Sequence, residues 1–374
     1  MCDTHAAESI WTEFAGNSCS ETSSLHLKEY ISGKTLLITG AGGSIGSALA
    51  RFADTCNVEA LVLLDSSKQG LHALERSFDL SLKTAHVPVL GSICDSVWLR
   101  GIFALYHPQL ILHAAACKHV PLMELNPLAA ASTNVLGTYV LLQAAAEYGA
   151  AQLIMVSTDK AVLPVSVMGA TKRVAELLLL AHPDNALQRK AVRLGNVLGS
   201  SGSVGPLFLK QIMEGGPVTV TDPDARRFFL TINHAVTLLL TALSSRYESG
   251  ILIPDLGGPR TVEELARYLV AATAREQKNL EIIYTGLRPG DKREELLSSS
   301  EESVVAQDDA IFSIVQPRLP PNLDAIVEQI TLSVRQKDVR LLLECICEAV
   351  PEYRPSPVLQ QIIEDNNNQP ELWK

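Results

Sequence analysis

Short apolar runs ending in glycine, aspartate or a small polar residue alternate with longer stretches of helical period through the first half of the chain. KTLLITG (34–40) is the first, followed by the helix-like SALARFADT; ALVLLD (60–65), HVPVLGSICD, QLILHAAA, AQLIMVST and AVRLGNV are further runs of the same kind. Runs this short are strands, and unbroken apolar character means that both faces are buried. Strands alternating with helices predict a parallel sheet with helices on both sides.

The texture changes at both ends. Residues 1–30 are polar and serine-rich, and are expected to form a loosely ordered extension with one short helix. After Gly199 the sequence loosens into SSGSVGP and MEGGPVTVTDPD, then returns to a helix through NHAVTLLLTALSS; IPDLGGPRTVEELARYLVAAT reads as a turn, a capping Thr261 and a helix. Helices are expected near 322–335 and 338–348. The division that follows is a nucleotide-binding domain over 31–205, with a returning segment at about 228–256, a smaller domain over 206–350, and a tail from 351 that frays at EDNNNQPELWK.

Composition narrows the function classes. The 374 residues are 47% hydrophobic and 19% charged, an ordinary globular balance, and the formal net charge of −10 argues against wholesale binding to nucleic acid or an anionic membrane. An anionic ligand would have to be held by local Arg, Lys or backbone N–H groups. Seven scattered cysteines without a C-x-x-C, and an N-terminus without a basic region before an apolar core, point to reduced thiols and a cytoplasmic protein. Residues 125–146 carry no charge, but Asn126, Pro127, Asn134, Gly137 and Gln143 argue for a buried helix rather than a membrane span. No metal-ligand spacing is present.

TGAGGSIG places Gly40, Gly43 and Gly46 between a strand and a helix. Glycines there allow a tight turn and close approach of a pyrophosphate to the helix N-terminus. Asp65 ends the next strand, where a carboxylate suits ribose hydroxyls and favours NAD; Lys68 nearby leaves NADP open. The fold class is therefore α/β: a Rossmann-type doubly wound parallel sheet with a smaller C-terminal substrate-binding domain.

STDKAVLPVSVMGATKR raises the question of chemistry. Ser157, Thr158, Asp159 and Lys160 follow an apolar strand, at the sheet edge where ligands bind. Lys172 lies on the next helix, yet the residue four before it is Met168, and a thioether neither gives nor takes a proton. Adjacent Asp159 and Lys160 can form an acid–base pair whose protonation states are pushed apart by burial and mutual charge.

TGAGGSIG, HAAACKHVPLMELNP, TNVLGT, STDKAV…VMGATKR, RLGNVLGSSGSV, GGPVTVTDPD and TGLRPGDKREELL together resemble the extended short-chain dehydrogenase/reductases, and within them the UDP-N-acetylglucosamine 4,6-dehydratases of bacterial polysaccharide biosynthesis. The likeness runs from about Lys34 to at least Leu297, in the branch with a Ser–Met–Lys set. It implies hydride removal from sugar C4, loss of water across C5–C6 and hydride return to C6, with a tightly bound NAD (or NADP) and a UDP-N-acetyl-hexosamine substrate. The implied catalytic set is Ser157, Asp159 (acid for the leaving hydroxyl), Lys160 (C5 base), Met168 and Lys172, with the acceptor of the C4 hydroxyl proton left open. Implied cofactor contacts are Gly40, Gly43, Ser44, Ile45, Gly46, Asp65, Ala114, Lys118, Asn134 and Lys172. Implied substrate contacts are Lys118, Thr158, Asn196, Arg227 and Arg288 (the two arginines on the diphosphate), with Glu294 or Glu295 facing the uridine ribose. The alanine-rich stretches 128–148 and 167–182 resemble the helices that pair across short-chain dehydrogenase dimers, which implies a homodimer or larger homo-oligomer.

Three positions depart from the family pattern: Ser92 where an Asp is common, Leu163-Pro164 for Asn-Pro, and Asp291 for Glu. Two rivals remain, a UDP-sugar C4 epimerase and a catalytically silent NAD(P)-binding module.

Overall fold

A computed structural model describes residues 4–16, 22–78, 84–184, 186–273, 280–300, 302–308 and 311–364. The expected fraying at 365–374 lies outside the described residues.

The apolar runs form one nine-stranded sheet: β1 (Thr35–Thr39), β2 (Ala60–Asp65), β3 (Ala85–Leu90), β4 (Leu110–His113), β5 (Gln152–Thr158), β6 (Gln188–Leu194), β7 (Ser249–Pro254), β8 (Ser303–Asp308) and β9 (Phe312–Gln316). Their order is β3-β2-β1-β4-β5-β6-β7-β9-β8. The first seven are mutually parallel, and β9 and β8 add an antiparallel edge. The fold is the α/β Rossmann arrangement, with strand order reversing between β1 and β4, which opens a crevice at their carboxyl ends.

Period-two alternation sorts the strand residues between two cores. Leu37, Val62, Ile111, Leu153 and Met155 face one side, with the helices Ser96–Tyr106, Thr138–Glu147 and Val167–Ala181. Leu36, Ile38, Leu61, Leu63 and Ile154 face the other, with Ser44–Asp54 and Ile232–Ser244. A third cluster, separate from both, is built by Leu198, Phe208, Ile212, Val218, Val220 and the helix Val262–Thr273.

That third cluster is smaller than the 206–350 domain expected from the sequence. Strand β7 lies in the main sheet, within the returning segment at about 228–256, but β8 and β9 join that sheet too, and the helices Leu323–Gln336 and Val339–Ala349 pack into its first core. The N-terminal segment also departs from expectation. It contains two helices, Thr4–Ala15 and Thr22–Ile31, whose Trp11, Phe14, Leu27 and Ile31 are buried. Those apolar side chains dock it, joined by hydrogen bonds from Asn233 to Glu8, Arg260 to the Phe14 carbonyl and Gln152 to the Tyr30 hydroxyl.

The helices expected to pair with a second subunit are covered by the chain itself. Val167–Ala181 is buried along nearly its whole length, and the C-terminal helices lie against it and against the turn Ala131–Gly137. Among the described residues one run, Pro127–Glu147, is long and apolar enough to cross a membrane, and 56% of its most apolar window is buried inside the fold.

Candidate functional site

The glycine turn follows β1. Gly40 has φ of +68°, and a Cβ there would stand 2.6 Å from the Ala115 nitrogen; one on Gly46 would stand 2.1 Å from the Gly40 oxygen. Only glycine fits either position. The helix Ser44–Asp54 opens at Gly43 with no side-chain cap, leaving its first-turn N–H groups directed at the crevice. Asp65 Oδ2 accepts from Gly42 N–H at 2.8 Å and its Oδ1 from Ser67 N–H at 2.7 Å, so the carboxylate is fixed beside the turn.

A cleft of about 550 Å³ extends from this turn. Of the residues singled out from sequence, Gly40, Gly43, Ser44, Ile45, Gly46, Ala114, Lys118, Ser157, Thr158, Lys160, Met168, Lys172 and Asn196 line it. Asp65, Asn134, Asp159, Arg227, Arg288 and Glu294 do not.

Lys160 is the cleft-facing member of a charged cluster. Its Nζ donates to Asp159 Oδ1 at 2.9 Å and to Asn196 Oδ1 at 3.2 Å, and lies 3.6 Å from Glu295 Oε1. Burial works to lower the Lys160 pKa, but Asp159 and Glu295 outweigh it, and the ammonium is held above its ordinary range. A lysine falling toward neutrality, as the sequence suggested, is therefore not the ligand-free state; two carboxylates keep it charged. Asp159 lies fully buried one position behind the wall, and its Oδ2 has no partner. Burial raises its pKa, Lys160 opposes that, and Glu295 adds to it, with a net upward shift.

Glu295 is the residue that sequence reasoning left undecided. Glu294 is exposed, whereas Glu295 is 3% exposed, with Lys292 Nζ 3.3 Å from its Oε2. Burial raises its pKa, but Lys160, Lys292 and Arg227 prevail and hold it low. Arg227 explains how it gets there. Its guanidinium donates to the backbone carbonyls of Arg226 (2.7 Å), Arg293 (3.1 Å) and Lys292 (2.8 Å), tying down the loop that carries Glu295. Arg227 thus staples a loop rather than presenting a fork to the cleft. Arg288 is exposed and pairs with Asp291 at 2.9 Å.

Both hydroxyls at the end of β5 have committed protons. Ser157 Oγ donates to Glu176 Oε1 at 2.6 Å and Thr158 Oγ1 to Asp159 Oδ1 at 3.0 Å. Glu176 in turn meets Arg193 through two bonds, at 2.9 and 2.8 Å, and Arg173 at 3.1 Å, and both arginines also reach Glu302. Burial alone would raise Glu176, but the arginines bring it down to about 2. Nothing in the motif names Glu176; the available signal was a lone carboxylate inside the apolar run VAELLLLA.

Lys172 is 4% exposed, on the same helix as Met168, and burial takes its pKa down to about 8 against the pull of Glu176. His113 behind it stays neutral: burial, then the Lys172 charge, lower it to about 3. Thr138 donates its hydroxyl proton to the Asn134 carbonyl, so His113 Nε2 must donate to Thr138 at 3.0 Å, and Nδ1 accepts from Thr39 at 2.7 Å. Asn134 sits in the widened π-helical turn and binds both backbone groups of Cys117, with a third bond to Thr171 Oγ1. It positions the Cys117–Lys118 wall and the Met168–Lys172 helix without touching the cleft. Burial also lowers Lys118 and His119, the latter further through the Lys118 charge.

Known proteins carry the same plan. The family described as "Polysaccharide biosynthesis protein" matches residues 36–317. The capsular polysaccharide biosynthesis protein CapD of Staphylococcus aureus is 39% identical over 72% of this chain and 46% of its own length; this chain spans about half of that relative. A UDP-glucose 4-epimerase of Rickettsia canadensis is 34% identical over 74% of this chain and 80% of its own. Among solved structures, DesIV, a dTDP-glucose 4,6-dehydratase from Streptomyces venezuelae with NAD bound, superposes with a TM-score of 0.62 at 20% identity, covering 81% of this chain and 98% of that one. The chain belongs to the polysaccharide biosynthesis protein family.

Proposed function

We propose that the protein is an NAD-dependent nucleotide-sugar 4,6-dehydratase acting on UDP-N-acetylglucosamine. The observation that supports this most is Lys160 facing the cleft with Asp159 hydrogen-bonded behind it, a pair that oxidation at C4 alone would not need. Gly40, Gly46 and the open first turn after Gly43 fit a pyrophosphate, and the fixed Asp65 carboxylate fits two ribose hydroxyls and repels a phosphate in their place. The nicotinamide, when bound, supplies reversible hydride storage.

The residues divide the proton work. Lys172, buried and with a pKa of about 8, takes the C4 hydroxyl proton that a tyrosine would otherwise accept, as Met168 cannot. Sugar binding expels water from the cleft, and a desolvated ion pair gives way to its neutral form. One proton then moves from Lys160 Nζ to Asp159 along their 2.9 Å hydrogen bond, breaking N–H and forming O–H. The result is an amine to remove the C5 proton and a carboxylic acid to protonate the departing C6 hydroxyl, which leaves as water. Asp159 reaches the leaving group by turning its side chain forward from behind Thr158.

A second reading, UDP-sugar C4 epimerase, is favoured by the 34% identity to the Rickettsia protein of that name. Mass spectrometry of UDP-N-acetylglucosamine incubated with the protein and with its Lys160→Met variant separates them. Loss of one water with wild type alone supports the dehydratase. Unchanged mass with a C4 epimer supports the second reading, and bound but unaltered sugar supports a silent binding module.

A further inference from the structure

The helix Thr4–Ala15 lies before the family-matched residues 36–317, yet it is built into the cleft's outer wall. Trp11 is 7% exposed and Phe14 2%. Phe14 anchors the helix: its ring lies edge-on to Phe229 with centres 5.5 Å apart, 5.3 Å from Tyr268, and beneath the Arg260 guanidinium at 3.8 Å. Trp11 packs elsewhere, on bare backbone. A Cβ on Gly205 would stand 2.9 Å from the indole Cη2, and one on Gly199 would stand 3.0 Å from Nε1, so the indole fills the space two side chains would take.

Gly199 and Gly205 bracket a segment whose opposite side faces the cleft through Ser200, Gly202, Ser203 and Val204. Ser201 N–H donates to Ser44 Oγ at 2.9 Å, and Ser44 opens the helix after the glycine turn. Across the cleft, the His119 ring packs against Gly202, leaving no room for a Cβ there. Gly199 and Gly202 both sit at positive φ (+74° and +68°), so the segment has little steric stiffness of its own. Leu198 N–H donates to the Leu230 carbonyl at 2.8 Å and anchors one end; beyond it, Trp11 from behind and Ser44 and His119 from the front hold the segment in place.

We propose that Trp11 is a positioning residue for the cofactor site, holding the 198–205 segment down on Ser44 and thereby slowing release of the dinucleotide. The proposal rests on the reading of the glycine turn as an NAD site. It adds a role for residues 4–16 that the matched region does not contain.

The test uses the full chain and three variants, Trp11→Ala, Trp11→Phe and Gly205→Ala, with NAD as the probe. Dissociation is followed by stopped flow, and amide hydrogen exchange is read over residues 198–205. Trp11→Ala should release NAD about tenfold faster, the equivalent of losing one good packing contact, and should lose protection in 198–205. Trp11→Phe should restore most of both. Gly205→Ala favours the helix Val204–Met213, in whose first turn it lies, yet pushes the indole off from the other side, so it should behave like Trp11→Ala and decides the matter if that variant does not fold. Wild-type release and wild-type exchange in these two variants would overturn the proposal. Wild type that binds no NAD would instead remove the cofactor reading; the exchange measurement still stands, and unchanged protection of 198–205 in Trp11→Ala would overturn the proposal on its own.

Discussion

Lys160 Nζ lies 3.6 Å from Glu295 Oε1, a buried carboxylate delivered to the end of β5 from far along the chain. The Lys160–Asp159 pair therefore works in the field of a second negative charge. That field raises the pKa of both members. Replacing Glu295 by Gln removes it, so both should fall together. The expected result is a kcat–pH profile displaced as a whole toward acid in Glu295→Gln. A profile reduced in height but unmoved would mean that Glu295 only holds Lys160 in place.

Lys172 gives a second pH prediction. Its folded pKa of about 8 is below the ordinary 10.5, so the native state releases a proton more readily than the unfolded chain. The sign follows: stability rises as pH climbs from about 8 toward 10.5, and below pH 8 the buried amine costs on the order of 3 kcal/mol. If Lys172 takes the C4 hydroxyl proton, the acid limb of kcat/KM should fall near pH 8. Lys172→Met should abolish turnover and yet raise Tm at pH 7. A variant that melts lower at pH 7 would contradict the buried, strained amine.

The local motifs were legible because they are local. Gly40 and Gly46 follow from what one turn demands, and the unbroken apolar run of β1 from burial on both faces, as Leu37 on one side and Leu36 and Ile38 on the other bear out. Asp159 and Lys160 were legible as neighbours, and burial alone sets the upward direction for Asp159; the direction for Lys160 was not legible, since Asp159 and then Glu295, a residue distant in sequence, outweigh burial there. Arg227 was illegible for a related reason: a guanidinium suits a diphosphate and three carbonyls equally well, and the carbonyls at 226, 292 and 293 that it binds here come together only in the fold. Trp11 and Glu176 needed tertiary partners that no spacing encodes. What can be read from such residues is that an apolar side chain in a polar stretch, or a charge in an apolar helix, requires a partner somewhere.

Glu176 shows how much that partner matters. It joins Ser157, Arg173 and Arg193, and Arg193 is wholly buried. Glu176→Gln would leave two guanidinium groups short of charge in a dry interior. Breaking such a pair typically costs about 3–5 kcal/mol. Urea unfolding should show a loss of that order, with the Ser157 contact loosened; a loss under about 1 kcal/mol would indicate that water screens the cluster.

Leu163 carries the family departure that the backbone registers. It stands where asparagine is common and has φ of +42°, a left-handed conformation that costs a branched side chain about 1–2 kcal/mol. At 39% exposure its side chain gains little from burial in return. Leu163→Asn should therefore stabilise the protein by about 0.5–1 kcal/mol, read as a rise in Tm with unchanged NAD affinity. A lower Tm would show that the exposed leucine makes contacts worth more than its strain.

The C-terminal helices set the last expectation. Leu323–Gln336 and Val339–Ala349 lie on the turn Ala131–Gly137 and on Val167–Ala181, contributing Ile326, Ile330, Leu342 and Ile346 to the first core. The sequence suggested that the two alanine-rich helices meet a second subunit; here that face is filled from within. Removing residues 320–374 should uncover a broad apolar surface on Val167–Ala181, and surfaces of that kind recruit partners. Light scattering after gel filtration should show the truncated chain associating more than the full one at equal concentration. Should both give the same mass, the helices would not be what covers this face, and an interface through Val167–Ala181 would again be open.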